Sequence, residues 1–379
     1  MTAHIRKRKY KSGIRYQVVL EVGIDSNGKR KREYISCDSY AEAQAIKAEK
    51  LHQYNMGSFI EASKITVQNI CEQWFKLHVE QELAITTQNG YRVNLENHVY
   101  PAIGNIKVQK LTPVQLQMFY DDLKKKGLSP RSIRYIHATL HTALKFAMRM
   151  GIVGRNVTEF VSPPKGEKFK PDIYNEAEVL ELLNCCKGTQ FEVPITLAVG
   201  MGMRKGEVFG LQWKDIDFSD NTLHVCHNLT CVKGKKIIGK PKTESSDRKI
   251  LMPDYVVTML KKHKIEQAKN RLKLGRAYQD NDLVYCYDDG TPRSTNGFSK
   301  RFSGFLEKNG LRHIRFHDLR HINATLMLQY GVPAKIASER LGHSTIQTTM
   351  NIYSHVTVEM QKDTVNIFDN NIFSKVAEG

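Results

Sequence analysis

This sequence of 379 residues lacks the features of membrane and secreted proteins. It has no apolar run that approaches the roughly 18 residues needed to span a bilayer. The longest candidate, from Val193 to Met203, ends at Arg204. The basic N-terminus continues into polar sequence without the apolar region of a secretion signal. These absences argue against membrane insertion and secretion and predict a cytoplasmic protein.

Paired cysteine spacing is also missing. The chain has an odd number of cysteines and no CxxC pair, which predicts reduced and mostly buried thiols rather than disulfides. Cys226, His227 and Cys231 lie close together in the sequence, but a fourth ligand in the paired spacing of structural zinc sites is not evident nearby. No metal site is therefore expected there.

Acidic residues are scarce, since 39 Asp and Glu face 57 Lys and Arg and leave a formal charge of +18. A surplus of this size predicts a polyanionic partner, and without a membrane anchor that partner is nucleic acid. The hydrophobic fraction of 41% and the charged fraction of 25% are typical of a folded globular protein. The length predicts two or three domains.

The most basic segment is the first, with ten Lys and Arg against three acids up to Ser36. β-Branched residues at 16–22, turn residues at 26–28 and alternation at 32–36 predict strands, and 40–54 predicts a helix. The charges fit a solvated surface, a nuclear-import-like patch or a DNA-binding sheet. The tyrosines that flank the strands favour the last. The candidate DNA contacts are Arg6, Lys7, Arg8, Lys9, Lys29, Arg30, Lys31 and Arg32.

Helical periodicity dominates residues 66–158. Within 132–150 the apolar stripe indicates a packed core, and the basic residues off that stripe, with Arg131 and Arg134 at its start, are candidate phosphate contacts. A segment rich in Pro, Gly and charge at 163–171 predicts a linker. Beyond the linker, Asn175 and Glu178 have the spacing of a capping box at the start of a helix.

Four stretches beyond the linker carry candidate chemistry, and none is specific by itself. They are Gly200–Glu207, Lys240–Arg248, His317–His321 and Leu341–His343 followed by Thr348–His355. The first has glycines but lacks the GK[ST] ending of a phosphate-binding loop.

The spacing of His317 and Arg320 places both on one face of a helix, where a guanidinium can take two phosphate oxygens beside a proton-transferring imidazole. Two alternatives remain open at this point. His317 and His321 have the i,i+4 spacing of a zinc pair, although Asp318 stands where that motif needs Glu. A purely structural histidine pair is also consistent with the sequence.

Charge around these residues argues against a metal-dependent nuclease. Between Arg312 and His355 the carboxylates are Asp318 and Glu339, against five Lys and Arg and five His. A two-metal nuclease gathers carboxylates to hold its ions, whereas fixed cations clamp a phosphate directly.

Tyr353 is the candidate nucleophile, and its phenol needs a neighbouring base or cations because its ordinary pKa is about 10.

The five stretches GMRKGE, PKTESS, HDLRH, LGHS and NIYSH, in this order and spacing, resemble the active-site boxes of the tyrosine recombinase (phage integrase) family. The resemblance covers about 171–358. The preceding helical segment is similar to the family's core-binding domain, and the N-terminal strands resemble the arm-type DNA-binding domain of integrases from phages and conjugative transposons.

This resemblance implies an α+β multidomain fold: a small N-terminal three-stranded sheet plus helix, an all-α core-binding domain, and a mainly α catalytic domain with a small antiparallel sheet. The implied boundaries are 1–60 for the arm-type domain, 65–162 for the core-binding domain, 163–171 for the linker, 172–360 for the catalytic domain and 361–379 for a C-terminal tail. That tail docks either on a neighbouring subunit or on its own.

The resemblance also implies a site-specific recombinase that cuts and rejoins DNA through a 3′-phosphotyrosine, without metal, ATP or other cofactor, and so integrates and excises a mobile element. Glu207 is implied to orient the first arginine. The implied catalytic residues are Arg204, Lys242, His317, Arg320, His343 and the nucleophile Tyr353.

The implied partners are double-stranded DNA with core and arm sites and three further copies of the chain in a tetramer. An excisionase or DNA-bending protein is a candidate accessory partner, and the implied location is the bacterial nucleoid. Two alternative functions remain: a type IB topoisomerase-like relaxing enzyme, and a DNA-binding regulator that kept the fold without the chemistry.

Overall fold

The computed structural model describes residues 1–10, 13–24, 28–56, 64–166, 173–232, 234–241 and 244–353. The chain forms two compact units, Met1–Lys168 and Phe169–Gly379. None of the helices in the described ranges is both long enough and apolar enough to cross a membrane.

The first unit begins with an antiparallel sheet of order β1-β2-β3 followed by helix α1, as the sequence predicts. Ser39 caps α1, since its hydroxyl accepts a hydrogen bond from the Glu42 amide at 3.1 Å. Val18 and Leu20 alternate along β2 towards Ala43 of α1 and form a small apolar core. These elements span β1 (Thr2–Tyr10), β2 (Gly13–Ile24), β3 (Arg30–Cys37) and α1 (Tyr40–Asn55).

The rest of the first unit is helical, as predicted, and has its own core around Trp74. Capping boxes at Thr66 and Thr112 begin two of its helices. A π-helical segment at 75–79 connects α2 to α3, and a second at 95–99 connects α4 to α5. The helices are α2 (Val67–Trp74), α3 (Glu80–Glu82), α4 (Ile85–Asn94), α5 (Tyr100–Ile103), α6 (Pro113–Lys125) and α7 (Pro130–Arg149).

The second unit is mainly helical, with small antiparallel sheets, which confirms the predicted fold class. Asn175 and Glu178 form the predicted capping box. The helices are α8 (Glu176–Cys186), α9 (Glu192–Met201), α10 (Lys205–Gly210), α11 (Asp254–Leu274), α12 (Phe298–Lys308), α13 (Asp318–Gln329), α14 (Ala334–Leu341) and α15 (Ile346–Tyr353).

The strands of this unit form a sheet of order β4-β5-β8 and a separate β6-β7 hairpin, within the described ranges. A core of aliphatic and aromatic side chains, with Phe209 and Phe298 fully buried, holds the helices against the sheet. The strands are β4 (Ile216–Asp217), β5 (Thr222–Val225), β6 (Asn228–Val232), β7 (Lys235–Gly239) and β8 (Arg248–Leu251).

Candidate active site

Arg204 lies between α9 and α10, two residues after the left-handed residue Gly202 (φ 65°) that ends α9. Its guanidinium donates to Glu207 Oε1 at 2.7 Å, to Ser246 Oγ at 3.2 Å and to the Gly342 carbonyl at 2.9 Å. These bonds use three of the five N–H groups of the guanidinium. The side chain is 34% exposed, so the remaining donors can meet a ligand.

Arg320 lies on α13 and is almost fully buried. Its guanidinium donates to the carbonyls of Gly202 and Leu341, each at 2.6 Å. Burial, together with the nearby Arg204, lowers the pKa of Arg320 to about 9. The group is still charged at neutral pH, and an anion placed against it would relieve the repulsion from Arg204.

The two arginines therefore meet at one turn, since Arg320 binds the Leu341 carbonyl and Arg204 binds the next carbonyl, that of Gly342. Gly342 ends α14 with φ 66°, a conformation in which side chains are disfavoured. A Cβ atom on Gly342 would lie 2.6 Å from the backbone oxygen of Ser245. Glycine at this position lets the arginine-binding turn pack against the segment that precedes β8.

We expect Gly342→Ala to cost about 3 kcal/mol of unfolding free energy. The positive φ accounts for about 1–2 kcal/mol and the steric contact for a similar amount. Gly188→Ala is a matched control, because Gly188 has φ 69° and nothing within 4 Å of its Cβ position. Urea unfolding of both variants separates the cost of the positive φ from the cost of the steric contact. Equal losses of unfolding free energy would show that the contact with Ser245 is unimportant.

His343 follows the turn, and its Nδ1 lies 2.8 Å from the Thr349 hydroxyl of α15. Burial, followed by Arg320 and Arg204, lowers the pKa of His343 to about 3. The imidazole is therefore neutral at pH 7, and it is held between the arginine pair and α15. A neutral ring beside two guanidiniums donates a hydrogen bond without adding a third positive charge.

His317 immediately precedes α13, and its ring packs edge-to-face on His321 with the centroids 5.0 Å apart. Burial of the imidazole, followed by His321 and Arg320, lowers the pKa of His317 to about 4, although the residue as a whole keeps a solvent-exposed surface. His317 is therefore neutral at pH 7 and able to accept a proton.

Arg248 joins this cluster through Glu207, although the sequence interpretation named it only as the end of the stretch Lys240–Arg248. It begins β8 and is 9% exposed, and it donates to Glu207 Oε2 at 3.1 Å and to the Arg340 carbonyl at 2.7 Å. The sequence signal that could have found it is its position in the strand, because Arg248 and Ile250 are two residues apart and share the buried face. A charged residue in phase with core residues indicates a buried ion pair.

Glu207 lies between Arg204 and Arg248 and is 2% exposed. Burial opposes ionisation of this carboxyl, but Arg248 and Arg204 outweigh it, so the pKa of Glu207 falls below its ordinary value. One carboxylate thus faces the three guanidiniums of Arg204, Arg248 and Arg320. Among the described residues of this cluster, the surplus of positive charge favours an anionic ligand.

The structure brings Arg204, Arg320 and His343 together, with His317 next to Arg320. Helix α15 packs against α13 and α14 and ends at Tyr353, within the same group of elements. Lys242 and the tail 361–379 lie outside the described residues.

The N-terminal cluster Arg6–Lys9 is divided between the two faces of the first sheet. Arg6 and Arg8 pair in register with Gln17 and Arg15, on the face opposite α1, whereas Lys7 pairs with Tyr16 on the α1 side. We call the face opposite α1 the open face. It carries Arg6, Arg8, Arg15, Arg30, Arg32 and the half-exposed Tyr34.

Two of the predicted DNA contacts on the open face are paired with Glu21. Arg32 lies 2.9 Å and Arg30 3.7 Å from its carboxylate. Lys29 and Lys31 are exposed beside them. Arg15 was missed by the sequence interpretation, and only the hairpin register shows that it stands opposite Arg8.

Arg131 and Arg134 lie exposed on the first turns of α7, away from the buried stripe that includes Ile133 and Ile136. Lys145 and Arg149 continue the same face of the helix towards its C-terminal end. Basic residues at both ends of one face suit contact with phosphates along a duplex.

Two family models match the chain. The Phage integrase family matches residues 173–360, and the Phage integrase N-terminal SAM-like domain matches residues 66–124.

Two curated relatives are similar over nearly the whole chain. A tyrosine recombinase XerC-like protein of Caldanaerobacter subterraneus subsp. tengcongensis is 29% identical over 370 residues, which cover 92% of this chain and 94% of the relative. The ICEBs1 integrase of Bacillus subtilis is 25% identical over 366 residues, which cover 96% and 98%.

Solved structures share the fold. The Tn1549 transposon integrase in complex with a circular intermediate DNA aligns with a TM-score of 0.68 and 20% identity, covering 80% of this chain and 99% of that one. A lambda integrase tetramer bound to a Holliday junction aligns with a TM-score of 0.56 and 17% identity, covering 92% and 94%.

Proposed function

Because this chain belongs to the phage integrase family of tyrosine recombinases, we propose that its second unit cuts and rejoins DNA with Arg204, Lys242, His317, Arg320, His343 and Tyr353. One observation carries this assignment. Arg204 and Arg320 bind consecutive carbonyls of a single turn, directly before His343 and in the group of helices that ends at Tyr353. This arrangement suits an anion with several oxygens and a nucleophile delivered from α15.

In the proposed cleavage step the oxygen of Tyr353 forms a bond to a scissile phosphorus, and the bond from phosphorus to the 5′ oxygen breaks. The DNA 3′ end is then joined to the protein, and a 5′ hydroxyl is released. The number of phosphodiester bonds is unchanged, so a 5′ hydroxyl from a partner strand can reverse the step without ATP.

Arg204, Arg320 and His343 are proposed to stabilise the charge on the non-bridging oxygens as the phosphorus becomes crowded. Fixed donors that already face the reacting group need no reorganisation during the reaction. The bonds from Arg204 and Arg320 to backbone carbonyls supply this fixation, and Glu207 with Arg248 holds Arg204 in place.

Two proton transfers complete the proposed step. His317, neutral at pH 7, assists removal of the proton from Tyr353, and Lys242 gives a proton to the leaving 5′ oxygen. The phenol needs this help because it is protonated at neutral pH.

The proposal is tested by incubating the full chain, in EDTA, with nicked duplexes that carry the sequences flanking its gene. We expect a denaturant-resistant complex between protein and DNA, with a free 5′ hydroxyl at the break. Absence of the complex both with and without divalent metal would contradict the enzymatic assignment. A complex that forms only with divalent metal would indicate a nuclease. Relaxation of any supercoiled plasmid without recombination would indicate a topoisomerase.

The first unit is proposed to bind DNA through the open face of its sheet at arm sites and through α7 at core sites.

Replacing Arg6 and Arg8 with alanine should weaken arm-site binding. It should also reduce the magnitude of the slope of log affinity against log salt concentration by about 1–2, since each lost phosphate contact is worth about 0.9. Lys7→Ala with Lys9→Ala is the matched control, because it removes the same charge from the α1 side. Equal slopes for the two double variants would exclude face-specific binding.

Strand exchange between two duplexes requires four cleavages, so we propose a tetramer on DNA, with the tail 361–379 docking on a neighbour or on its own subunit. We further propose that the protein integrates and excises a mobile element in the bacterial nucleoid, with an excisionase or a DNA-bending protein as a partner. The whole-length similarity to the ICEBs1 integrase supports it.

A further inference from the structure

A cluster of ligand-type side chains lies apart from the proposed catalytic residues, where the short 3₁₀ turn 213–215 meets the chain between β5 and β6. It consists of Asp215, Cys226 and His227, whose donor atoms all lie within 4.8 Å of one another. The sequence interpretation considered Cys226 and His227 together with Cys231. In the structure Cys231 instead contacts Ser294, and Asp215, 11 residues before Cys226, takes its place.

The donor atoms form a nearly closed triangle. Asp215 Oδ2 lies 2.8 Å from His227 Nδ1, which lies 3.2 Å from Cys226 Sγ, and Cys226 Sγ lies 3.4 Å from Asp215 Oδ1. Zinc bonds of about 2.0–2.3 Å in tetrahedral geometry put neighbouring ligands about 3.3–3.6 Å apart. The two edges at Asp215 end on its two different oxygens, so a bound ion would take one of them, and one such oxygen, the nitrogen and the sulfur already lie within 4.8 Å of one another.

The geometry does not suit a nucleophilic Cys–His–Asp triad. In such a triad the histidine uses one nitrogen for the nucleophile and the other for the carboxylate. Here both Asp215 and Cys226 approach the same nitrogen, Nδ1 of His227. Nδ1 can donate to Asp215 Oδ2 while the Cys226 thiol donates to Asp215 Oδ1, so the 3.2 Å approach of Nδ1 to Sγ brings two ligand-type atoms together without a hydrogen bond of its own.

The charge of the cluster also suits a cation. The Asp215 side chain is 6% exposed, and His227, 24% exposed, is its ion-pair partner among the described residues. Buried carboxylates are paired with a cation or coordinate a metal ion.

We propose that Asp215, Cys226 and His227 bind one zinc ion. Sulfur, nitrogen and oxygen donors together suit zinc, and three protein ligands leave the fourth tetrahedral position to water. The ion fixes the start of β6 to the 3₁₀ turn. The next residue, Asn228, packs against Gly206 of α10, so the ion also steadies the helix that follows Arg204.

The test uses the full chain, freed of metal with a chelator and titrated with Co²⁺ as a spectroscopic probe. We expect visible absorption of tetrahedral Co²⁺ and a near-ultraviolet thiolate band that saturate near one equivalent and are lost on adding Zn²⁺. X-ray absorption of the zinc form should show one sulfur at about 2.3 Å and nitrogen or oxygen at about 2.0 Å. Absence of a thiolate band, or a zinc site without sulfur, would overturn the proposal.

Cys226→Ser should abolish the thiolate band and weaken zinc binding more than about 100-fold, because even an outer-shell partner of a ligand is worth about 10–100-fold. Cys231→Ser is the matched control, because Cys231 lies five residues further along the chain, in β6, and this variant should leave the band intact. Asp215→Asn keeps the size of the side chain and should weaken binding while the protein stays folded. If Cys226→Ser keeps the band, or Cys231→Ser loses it, the thiolate comes from elsewhere and the site is wrong.

Discussion

Tyr353→Phe should abolish DNA cleavage while DNA binding stays within about twofold of that of the unaltered protein. The change removes a single oxygen, which is the atom that bonds to phosphorus in the proposed mechanism. Without it the covalent intermediate cannot form, whatever the positions of Arg204 and Arg320. Cleavage is measured as the yield of denaturant-resistant complex on nicked duplexes. Binding is measured by a gel-shift titration of the same DNA.

Tyr330→Phe is the matched control for this loss. Tyr330 follows α13 in the same unit, is 65% exposed and interacts with Glu176. Its variant should cleave DNA at the rate of the unaltered protein. If Tyr353→Phe still formed the complex, another residue would be the nucleophile, and sequencing the peptide attached to DNA would identify it.

Arg320→Ala should slow cleavage by about 10³- to 10⁵-fold, the range found when an arginine that stabilises a phosphoryl transition state is removed. The guanidinium also binds the carbonyls of Gly202 and Leu341. The variant therefore also destabilises the fold, by about 1.5–3 kcal/mol per lost charged hydrogen bond. Single-turnover cleavage and urea unfolding should be measured on the same preparation.

Arg320→Lys separates the two effects. Lysine keeps the charge but lacks the planar fork that binds two carbonyls and a phosphate at once. We expect cleavage between that of Arg320→Ala and the unaltered protein. Arg301→Ala removes an exposed arginine of α12 and should change neither quantity. Normal cleavage by Arg320→Ala would show that Arg320 is structural.

Local sequence was sufficient for many individual elements. Asn175 with Glu178 marks the start of α8, and the β-branched residues around Val18 mark β2, because capping and strand propensity depend on residues only a few positions apart. The residue types of the catalytic boxes, read in order, were likewise sufficient to indicate the family, which the matching domain models confirm.

Contacts between distant segments were not available from the sequence. The role of Arg248 was overlooked because its partners, Glu207 and the Arg340 carbonyl, lie 41 and 92 residues away. Asp215 was overlooked beside Cys226 for the same reason, since the β4-β5 hairpin separates them. Arg15 was overlooked because its place on the open face depends on the hairpin register with Arg8.

The sequence by itself determined the excess of 18 positive charges, the order of the catalytic boxes and the chemistry each side chain can perform. Only the tertiary structure decided where that charge faces and which groups meet. It divides Arg6–Lys9 between two faces of a sheet and holds Arg204 and Arg320 on consecutive carbonyls of one turn. The physical reason is that side-chain chemistry is local, whereas burial, charge pairing and the shift of a pKa depend on neighbours brought together by folding.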